Sequence, residues 1–450
     1  MKIAFYSSGG NDPAASTSVI HSFFPNRADD WEEAARAFPE HEFVIFTTLC
    51  GGHMTDLNGR EFTKQTKSVR YVVLDSSLSV EEIAERIAKE KPDLAVAFTL
   101  GEVFYDWFPV RDSLVKEELE KRGIETIAHS AQLSLDAFEK HRASELLNRH
   151  GFLTPNHVFV QGSLFSVQER NPLVTVNIYR EYIYSKLRSL TFPVILKPDS
   201  GAGTVGVSIA ESFEEAVEIL EKEKCEEDIL IEELIRGENF GIEIFGRKGS
   251  YRVLPPINLG TGENGLTDPF LSVKYGPVTD EKYGIRELLD EMEHMAEELG
   301  FEGDVELDLI YRDGKWYTID VNPRFSFLSP AASAMAGSSV VMLYAQMATG
   351  DMPKDDPLKT ALPVVDFKVP YLSDEEIEAL RERHPCIRSI FRFTVEIEGR
   401  GPVQYCEIVN GGIADKEELQ RQIGELCKTE RELIPTQLEE IILKVLEEKL

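Results

Sequence analysis

The pattern of apolar and polar positions is most regular between residues 304 and 324, DVELDLIYRDGKWYTIDVNPR. On both arms every second residue is apolar, and carboxylates or other polar groups stand between them. This period of two predicts a pair of half-buried strands with one apolar and one polar face. The connection Arg312-Asp313-Gly314 predicts a three-residue loop with glycine in the left-handed conformation.

A loop of that length sets the pairing of the two strands. It would place Glu306 opposite Asp320 and Asp308 opposite Thr318, so that the acids and Asn322 share one face. A two-residue Asp-Gly turn would shift the pairing by one and move Asp308 to the other face. Oxygen ligands gathered on a rigid hairpin suit a hard divalent cation such as Mg²⁺. The alternative is a solvated acidic face on an edge hairpin.

A second pattern lies upstream, in PVILKPDSGAGTVGV at residues 193–207. An apolar strand carrying Lys197 leads into a loop of small residues that includes Gly201 and Gly203. Such a loop lets backbone N–H groups approach phosphate oxygens, and the lysine adds a positive charge. It lacks the GxxxxGK[ST] spacing, so by itself it is equally well explained as a surface turn.

A strand with a lysine and a glycine loop, followed by an acidic hairpin, resembles the ATP-grasp superfamily. Residues 319–337, IDVNPRFSFLSPAASAMAG, are similar to the form found in carbamoyl phosphate synthetase and biotin carboxylase. The resemblance covers about residues 1–350. The resemblance implies ATP as a ligand, and the positions that match the nucleotide-binding residues of the family are Lys140, Lys197, Gly201, Gly203, Thr204, Glu232, Glu233, Leu234 and Glu238.

The resemblance also implies roles for these groups. Lys140 lies on a helix expected from Ser134, residues 232–234 would form the adenine hinge, and Glu238 would bind the ribose. The positions implied to hold Mg²⁺, with Mn²⁺ as an alternative, are Asp308, Asp320 and Asn322; those implied in catalysis are Arg324 and Lys274. The implied reaction converts a carboxylate into an acyl phosphate, which an amine then attacks, releasing ADP and phosphate.

Two positions depart from the family pattern. Asp320 stands where the superfamily usually has glutamate, so this metal ligand is one methylene shorter. Glu306 stands where D-alanine–D-alanine ligases have arginine, which argues against a simple dipeptide ligase of that type. Arg324 is a residue that could supply the missing positive charge from the other strand.

The whole chain is expected to combine α/β and α+β architecture. Alternating strands and helices predict an open parallel sheet in an N-terminal α/β domain at residues 1–129. The two lobes of an ATP-grasp fold are expected at 130–235, with the phosphate loop, and 236–350, with the hairpin. A proline- and charge-rich stretch then leads to an extra C-terminal α+β region at 351–450, where no catalytic motif occurs.

Composition excludes some classes of protein. The 450 residues carry 79 acids and 48 bases, a net charge of −31, which argues against a nucleic-acid partner. Apolar runs are too short to span a membrane, and five scattered cysteines without CxxC spacing suggest a reducing compartment. We therefore expect a cytoplasmic enzyme of small-molecule carboxylate and amine substrates; a homodimer is left open.

Two other functions remain open from the sequence. The same phosphoryl transfer could serve bicarbonate or a carrier-protein thiol, an alternative supported by the Asn-Pro-Arg-x-Ser form at residues 322–326. The chain could also be a non-catalytic nucleotide-binding scaffold, against which the intact lysines and metal ligands argue. The substrates themselves are not encoded in any motif.

Overall fold

The computed structural model describes residues 1–9, 18–25, 27–48, 66, 68–99, 107–200, 206–222, 226–260, 271–397 and 401–450. Gly201, Gly203 and Thr204, predicted to contact phosphates, lie outside these ranges. Within the described ranges, none of the helices has the length and apolar character needed to cross a bilayer.

The N-terminal region contains the open parallel sheet that the sequence predicted. Its five strands lie in the order β4-β3-β1-β5-β6, and every neighbouring pair is parallel. The central strands are apolar throughout because helices and neighbouring elements cover both faces. The elements are β1 (Lys2–Tyr6), β2 (Ser18–Phe24), α1 (Arg27–Ala37), β3 (Glu42–Thr47), β4 (Val69–Val73), α2 (Val80–Lys89), β5 (Leu94–Ala97), α3 (Phe108–Lys121) and β6 (Glu125–Ile127).

A smaller antiparallel sheet follows, with strand order β7-β10-β8-β9 and a core of its own. The single helix expected from Ser134 is divided at Glu139, whose backbone is extended, so Lys140 begins a new helix. The elements are α4 (Ala131–Phe138), α5 (Lys140–Arg149), β7 (His157–Val160), α6 (Gly162–Phe165), α7 (Val167–Arg170), α8 (Ile178–Leu187), β8 (Val194–Pro198), β9 (Ser208–Ala210), α9 (Phe213–Lys222) and β10 (Ile229–Glu233).

A third sheet carries the predicted hairpin and extends into the C-terminal region. Its elements are β11 (Glu238–Arg247), β12 (Ser250–Val253), β13 (Ile257–Asn258), β14 (Val273–Gly276), α10 (Ile285–Leu299), β15 (Gly303–Arg312), β16 (Lys315–Asn322), α11 (Ser329–Met335), α12 (Val340–Thr349), α13 (Pro357–Thr360), β17 (Val364–Pro370), α14 (Asp374–Arg383), β18 (Ile387–Ile397), β19 (Gly401–Gly411), α15 (Lys416–Thr429) and α16 (Thr436–Glu448). The strand order is β16-β15-β11-β13-β14-β17-β19-β18-β2, and β12 pairs with β11.

Two strand pairings show that this sheet is continuous across different regions of the chain. β14 pairs with β17, so the sheet crosses directly from the hairpin region into the C-terminal region. At the far edge β18 pairs with β2, which comes from the N-terminal region. All three parts of the chain therefore contribute to one sheet. The apolar face of β11, β15 and β16 packs on α10, and the opposite face carries the carboxylates.

Candidate functional site

The hairpin places the predicted metal ligands on one face, but its turn and its strand pairing differ from those expected. Arg312 pairs with Lys315, so the loop is the two-residue turn Asp313-Gly314, with φ of 52° and 77°. The prediction of a three-residue loop was wrong, because both central residues adopt the left-handed conformation that a tight hairpin turn needs.

A β-bulge then restores the shared face. The pairing shifts by one residue between Asp308 and Leu309, leaving Ile319 as the extra residue of β16. Asp308 consequently lies directly opposite Asp320, and Glu306 opposite Asn322. The expected partners of Glu306 and of Asp308 were each wrong by two positions along β16, whereas the shared face is confirmed.

A dense group of buried acids surrounds this point. Asp304, Glu306 and Asp308 follow one another on the polar face of β15, and Glu243 lies opposite Glu306 on β11. Burial, followed by repulsion from Asp320, raises the pKa of Asp308 to about 6. The same two causes, burial and neighbouring carboxylates, raise the pKa of Glu306 above its usual range. We call Glu243, Asp304, Glu306 and Asp308 the hairpin carboxylates.

Glu243 was missed by the sequence reasoning. It accepts hydrogen bonds of 2.8 Å from Ser326 Oγ and Ser329 Oγ, which join β11 to the segment after the hairpin. Burial and the facing Asp304 raise the pKa of Glu243, and burial raises the pKa of Asp304 to about 7. The sequence pattern could have identified it, because Glu243 stands between the apolar residues Ile242 and Ile244 and is therefore assigned to the polar face of the strand.

Arg324 is linked to the hairpin carboxylates through Asn322. Its Nη2 donates to Asn322 Oδ1 at 3.0 Å, and Asn322 Nδ2 donates to Glu306 Oε2 at 2.7 Å. The positive charge of Arg324 also counteracts the rise in the pKa of Asp304 and of Glu306. Arg324 therefore supplies positive charge beside Glu306, as the sequence suggested, and it lines a narrow cleft with Thr99.

Two lysines from the smaller sheet and its preceding helix meet the hairpin. Lys140 Nζ donates to Asp320 Oδ2 at 2.5 Å. Lys197 Nζ lies 2.6 Å from Glu232 Oε2 and 3.4 Å from the Ile319 carbonyl oxygen. Burial alone would lower the pKa of Lys197, but nearby carboxylates, led by Glu232, outweigh it and raise that pKa. The structure thus brings both predicted phosphate lysines to the acidic face.

The predicted hinge has one buried and one half-buried acid. Glu232 is buried beneath Lys197, and its Oε1 has no hydrogen-bond partner within the described part of the chain. Glu233 accepts from Asn156 Nδ2 at 3.0 Å and from the Thr191 amide at 2.8 Å. The Leu234 amide donates to the Pro193 carbonyl oxygen. These bonds fix the hinge backbone, and the Leu234 amide is already used within the protein.

Glu238 lies near the hinge but is held by aromatic and basic neighbours. Its Oε2 accepts from the Tyr283 hydroxyl at 2.7 Å, and its Oε1 is 3.6 Å from Lys282 Nζ. The carboxylate is partly exposed, so a ligand hydroxyl could compete for it. Its assignment to the ribose stays a prediction.

Lys274 has other partners than the hairpin carboxylates. Its Nζ contacts Asp366 Oδ2 at 3.2 Å and forms a second ion pair with Glu407. Both acids come from the C-terminal strands β17 and β19, and both are buried. Within the described residues, every ion pair that Lys274 makes is with this pair of acids. Its catalytic role stays a prediction.

Two histidines near these elements connect parts of the fold. His129 is buried, and burial lowers its pKa to about 4; its Nε2 lies 3.1 Å from the Asp304 carbonyl oxygen. His141 Nδ1 lies 2.6 Å from Asp199 Oδ2, and the ring stacks on Phe159. Both side chains join elements of the fold, and the site needs neither as a base.

The oxygens of the hairpin fit a hard divalent cation. Carboxylates of Asp308 and Asp320 lie opposite one another beside the amide oxygen of Asn322, a donor set made only of oxygen. Opposite Asp308 on the other neighbouring strand is Gly241, where a side chain would strike Leu328. Burial and then the charge of Asp320 raise the pKa of Asp308, although Lys140 and Lys197 act against them. Bound positive charge would relieve that repulsion.

This arrangement defines a class of protein: lysines from one lobe face an acidic hairpin on another, as in enzymes that bind a nucleoside triphosphate with a metal ion. Comparison with known proteins agrees. Residues 139–327 match the family model described as "ATP-grasp domain". This part of the chain is therefore an ATP-grasp domain, and the resemblance predicted from the motifs is confirmed.

Relatives and solved structures are distant. The chain is 27% identical over 270 residues to a carbamoyl-phosphate synthase of Methanobrevibacter smithii, covering 58% of this chain and 68% of the relative. Matches to large chains of carbamoyl phosphate synthases, such as that of Clostridium perfringens, cover 26% of the relative's length.

Among solved structures, the biotin carboxylase domain of Hydrogenobacter thermophilus 2-oxoglutarate carboxylase, in complex with MgADP, ADP and bicarbonate, superposes with a TM-score of 0.61. It is 14% identical and covers 100% of this chain and 94% of that one. An L-amino acid ligase from Bacillus licheniformis superposes with a TM-score of 0.59 at 16% identity, covering 95% of this chain and 97% of that one. At such identities the similarity establishes the fold.

Proposed function

We propose that the protein is an ATP-dependent ligase that activates a carboxylate as an acyl phosphate and joins it to an amine. The single observation that supports this most strongly is the meeting of Lys140 and Lys197 with the paired Asp308 and Asp320 across two lobes. Triphosphate transfer needs both signs of charge at one place: lysines for the phosphate oxygens and carboxylates for a metal ion.

Each group has a proposed role in that reaction. A carboxylate oxygen of the substrate attacks the γ-phosphorus, ADP leaves, and the amine nitrogen then displaces phosphate from the acyl carbon. Lys140 and Lys197 hold phosphate oxygens, and Glu232 keeps Lys197 in place at 2.6 Å. Arg324, positioned by Asn322, stabilises the developing oxyanion or holds the acceptor carboxylate.

Asp308, Asp320 and Asn322 are the proposed ligands of Mg²⁺ or Mn²⁺. When bound, such an ion neutralises charge on the β- and γ-phosphate oxygens during transfer. Glu306 contributes by accepting the Asn322 amide hydrogen, which turns Asn322 Oδ1 away from Glu306 and toward Arg324. The proposal places the protein in the cytoplasm with small-molecule substrates.

The test is a screen for ADP release with ATP, Mg²⁺ and pairs of amino acids, with bicarbonate and a carrier-protein thiol as separate arms. Release that requires an amino-acid pair supports the ligase. Release that requires bicarbonate or thiol instead would replace the amine in the proposal. Nucleotide binding without release in any arm would favour the non-catalytic scaffold.

Variants locate the triphosphate within the same screen. Lys197→Ala and Lys140→Ala should each weaken ATP binding while the fold stays intact, because each removes one charge from the acidic face. Lys222→Ala is the matched control, since Lys222 lies exposed on α9 of the same lobe. Unchanged ATP affinity in both test variants would place the triphosphate elsewhere.

A further inference from the structure

A second charged site lies apart from the hairpin, in a cavity of about 600 Å³ between the N-terminal and C-terminal regions. Four arginines line it: Arg27 on α1, Arg252 on β12, Arg381 on α14 and Arg388 on β18. The volume is within the usual range for small-molecule pockets. None of the proposed metal or triphosphate ligands is among its lining residues.

Two of the arginines already have carboxylate partners. Arg27 Nη1 lies 3.2 Å from Asp30 Oδ2, and Arg252 Nη1 lies 3.0 Å from Asp355 Oδ1. These pairs are neutral overall, so they do not by themselves attract an anion. Their effect is to build the wall of the cavity.

Arg381 and Arg388 differ from that pair. Over the described part of the chain, no ion pair joins either of them to a carboxylate, although Glu33 lies on the rim. Burial, followed by the charge of Arg388, lowers the pKa of Arg381, and the nearby charges of Asp30 and Glu378 do not outweigh these two causes. The two arginines therefore bring positive charge to one wall of the cavity in a chain of net charge −31.

The position of Arg388 results from a β-bulge. In the pairing of β18 with β19, Ile387 is opposite Asn410 and Ser389 is opposite Val409, so Arg388 is the extra residue. A bulge changes the direction of a side chain relative to the regular strand. The three consecutive residues Ile387, Arg388 and Ser389 of β18 thereby all line the cavity.

Buried polar atoms on the wall lack hydrogen bonds. Among the residues that the structure describes, Arg381 Nε, Ser389 Oγ and Gln346 Oε1 are inaccessible to solvent and have no hydrogen-bond partner. Buried groups of this kind are normally satisfied, because leaving one unpaired costs about 1–3 kcal/mol. Rotation of the amide group could turn Gln346 into a donor as well. A ligand with several acceptor oxygens would satisfy these donors together.

The N-terminus of α12 faces the same space. Ser338, Ser339 and Val340 line the cavity, and the Ser339 side chain caps only the amide of Met342. A helix start leaves about four amides without intrahelical partners and carries a partial positive charge. Donors therefore approach from α12, α14 and β18, three different directions. A tetrahedral oxyanion matches such a set better than a planar carboxylate does.

We propose that this cavity binds a phosphorylated small organic molecule, with its phosphate held by Arg381, Arg388, Ser389 and the N-terminus of α12. The lining by Phe23, Pro330, Met342 and Leu343 offers apolar surface for the organic part. The ligand is distinct from the nucleotide at the hairpin. Because the walls come from all three parts of the chain, binding stabilises their mutual arrangement.

Binding is tested on the full chain with MgADP present in excess, so that the proposed triphosphate site is filled. Inorganic phosphate and ribose 5-phosphate are the probes, with ionic strength held constant by NaCl. We expect a saturable rise in melting temperature with both probes, larger for ribose 5-phosphate, and a matching calorimetric binding isotherm. No rise with either probe would overturn the proposal, as would an equal rise with chloride.

Variants identify the location. The double variant Arg381→Ala, Arg388→Ala should weaken the binding of ribose 5-phosphate at least tenfold. A tenfold weaker affinity corresponds to the loss of about one hydrogen bond between charged groups. Arg383→Ala is the matched control, because Arg383 lies on the same helix but is exposed and pairs with Glu430, and neither residue lines the cavity. Unchanged binding in the double variant would refute the site.

Stability of the empty protein gives an independent readout. Since Arg381 and Arg388 repel one another, the single variant Arg388→Gln should not lower the melting temperature without ligand. A purely structural role for Arg388 predicts a lower melting temperature and unchanged probe binding, which would count against the proposal. The measurements need no turnover, so failure of the ligase proposal would leave this result intact.

Discussion

Two groups of buried charges lie on the same large sheet and differ in their balance of sign. The hairpin carboxylates are four acids, and the cations near them come from outside the group: Lys140 reaches Asp320 and Arg324 acts through Asn322. In the other group, Lys274 lies between Asp366 and Glu407 and bonds to both. We call these three residues the Lys274 trio.

The pKa directions follow this difference. In the hairpin group, burial and repulsion raise the pKa of all four acids. In the Lys274 trio, burial raises the pKa of Asp366, but Lys274 overcomes burial at Glu407 and lowers the pKa of that group. Buried charge that lacks a counter-ion within its own group indicates a place for a bound cation, whereas a paired group is sufficient as structure.

The largest effect is expected in the Lys274 trio. Lys274→Met would leave Asp366 and Glu407 buried without a cation and should lower the free energy of unfolding by about 3–5 kcal/mol. Lys359→Met is the control, because Lys359 is exposed and its ion pair with Asp356 should contribute less than about 1 kcal/mol. Urea denaturation measures both. An unchanged unfolding free energy with lost turnover would instead assign Lys274 to catalysis.

At the hairpin, Arg324→Ala should reduce turnover by about 10²–10³ with nearly unchanged ATP affinity, because it removes an oxyanion donor. Arg324→Lys should not restore it, since a point charge cannot replace the planar guanidinium. Arg312→Ala, at the exposed end of the same hairpin, is the control. Steady-state kinetics and nucleotide titration separate the two quantities; full activity in Arg324→Ala would exclude this residue from the reaction.

His129 tests the hairpin group through pH. Its pKa is about 4 in the folded protein and near 6.5 when unfolded, so only the unfolded chain gains this proton in between. Stability due to His129 is thus complete above pH 6.5 and is lost as pH falls toward 4, by about 3 kcal/mol in all.

The comparison is wild type against His129→Gln, which cannot titrate. The difference in unfolding free energy between the two proteins should shrink as pH falls from 7.5 to 4.5. A constant difference for His129→Gln would mean that folding does not change the pKa of His129.

The smallest effect is expected at the turn. Gly314 has φ of 77°, and alanine there should lower the free energy of unfolding by about 1 kcal/mol. Turnover should not change, because an alanine at the turn can keep the two-residue loop, and the bulge at Ile319 that completes the alignment of Asp308 with Asp320 lies further along the strand. Lys315→Ala is the neighbouring control. Loss of activity in Gly314→Ala would show that the register depends on the turn.

The hairpin shows what a local pattern can and cannot predict. Alternation assigned the acids to one face correctly, since side-chain direction follows the period of the strand. The predicted turn length was wrong. The bulge was not predicted, because its extra residue, Ile319, lies between two polar residues, Thr318 and Asp320, and so does not interrupt the alternation of apolar and polar residues. The shorter turn and the bulge each shift the pairing by one residue, so that together they leave Asp308 and Asp320 on the same face.

Partners that are distant in sequence were beyond reach. Lys274 meets Asp366 and Glu407, which are 92 and 133 residues further along the chain. The arginine cavity likewise collects single residues from four separate elements, and each arginine alone is typical of a solvated helix or strand. The lysines near the phosphate loop could be predicted because their spacing matches the motifs of the family. Hydrophobic periodicity and turn patterns alone would not have identified them.

The pairing of β2 with β18 has a consequence for synthesis on the ribosome. Ser22 Oγ accepts a hydrogen bond from Arg392 Nε, a partner 370 residues later. At roughly 5–20 residues per second, β2 emerges about 20–70 s before the strand that covers it. During that interval an apolar segment of the nascent chain has no sheet to join. We therefore expect the folding of β2 to wait until β18 has been synthesised, and chaperone contacts to concentrate on Ser18–Phe24.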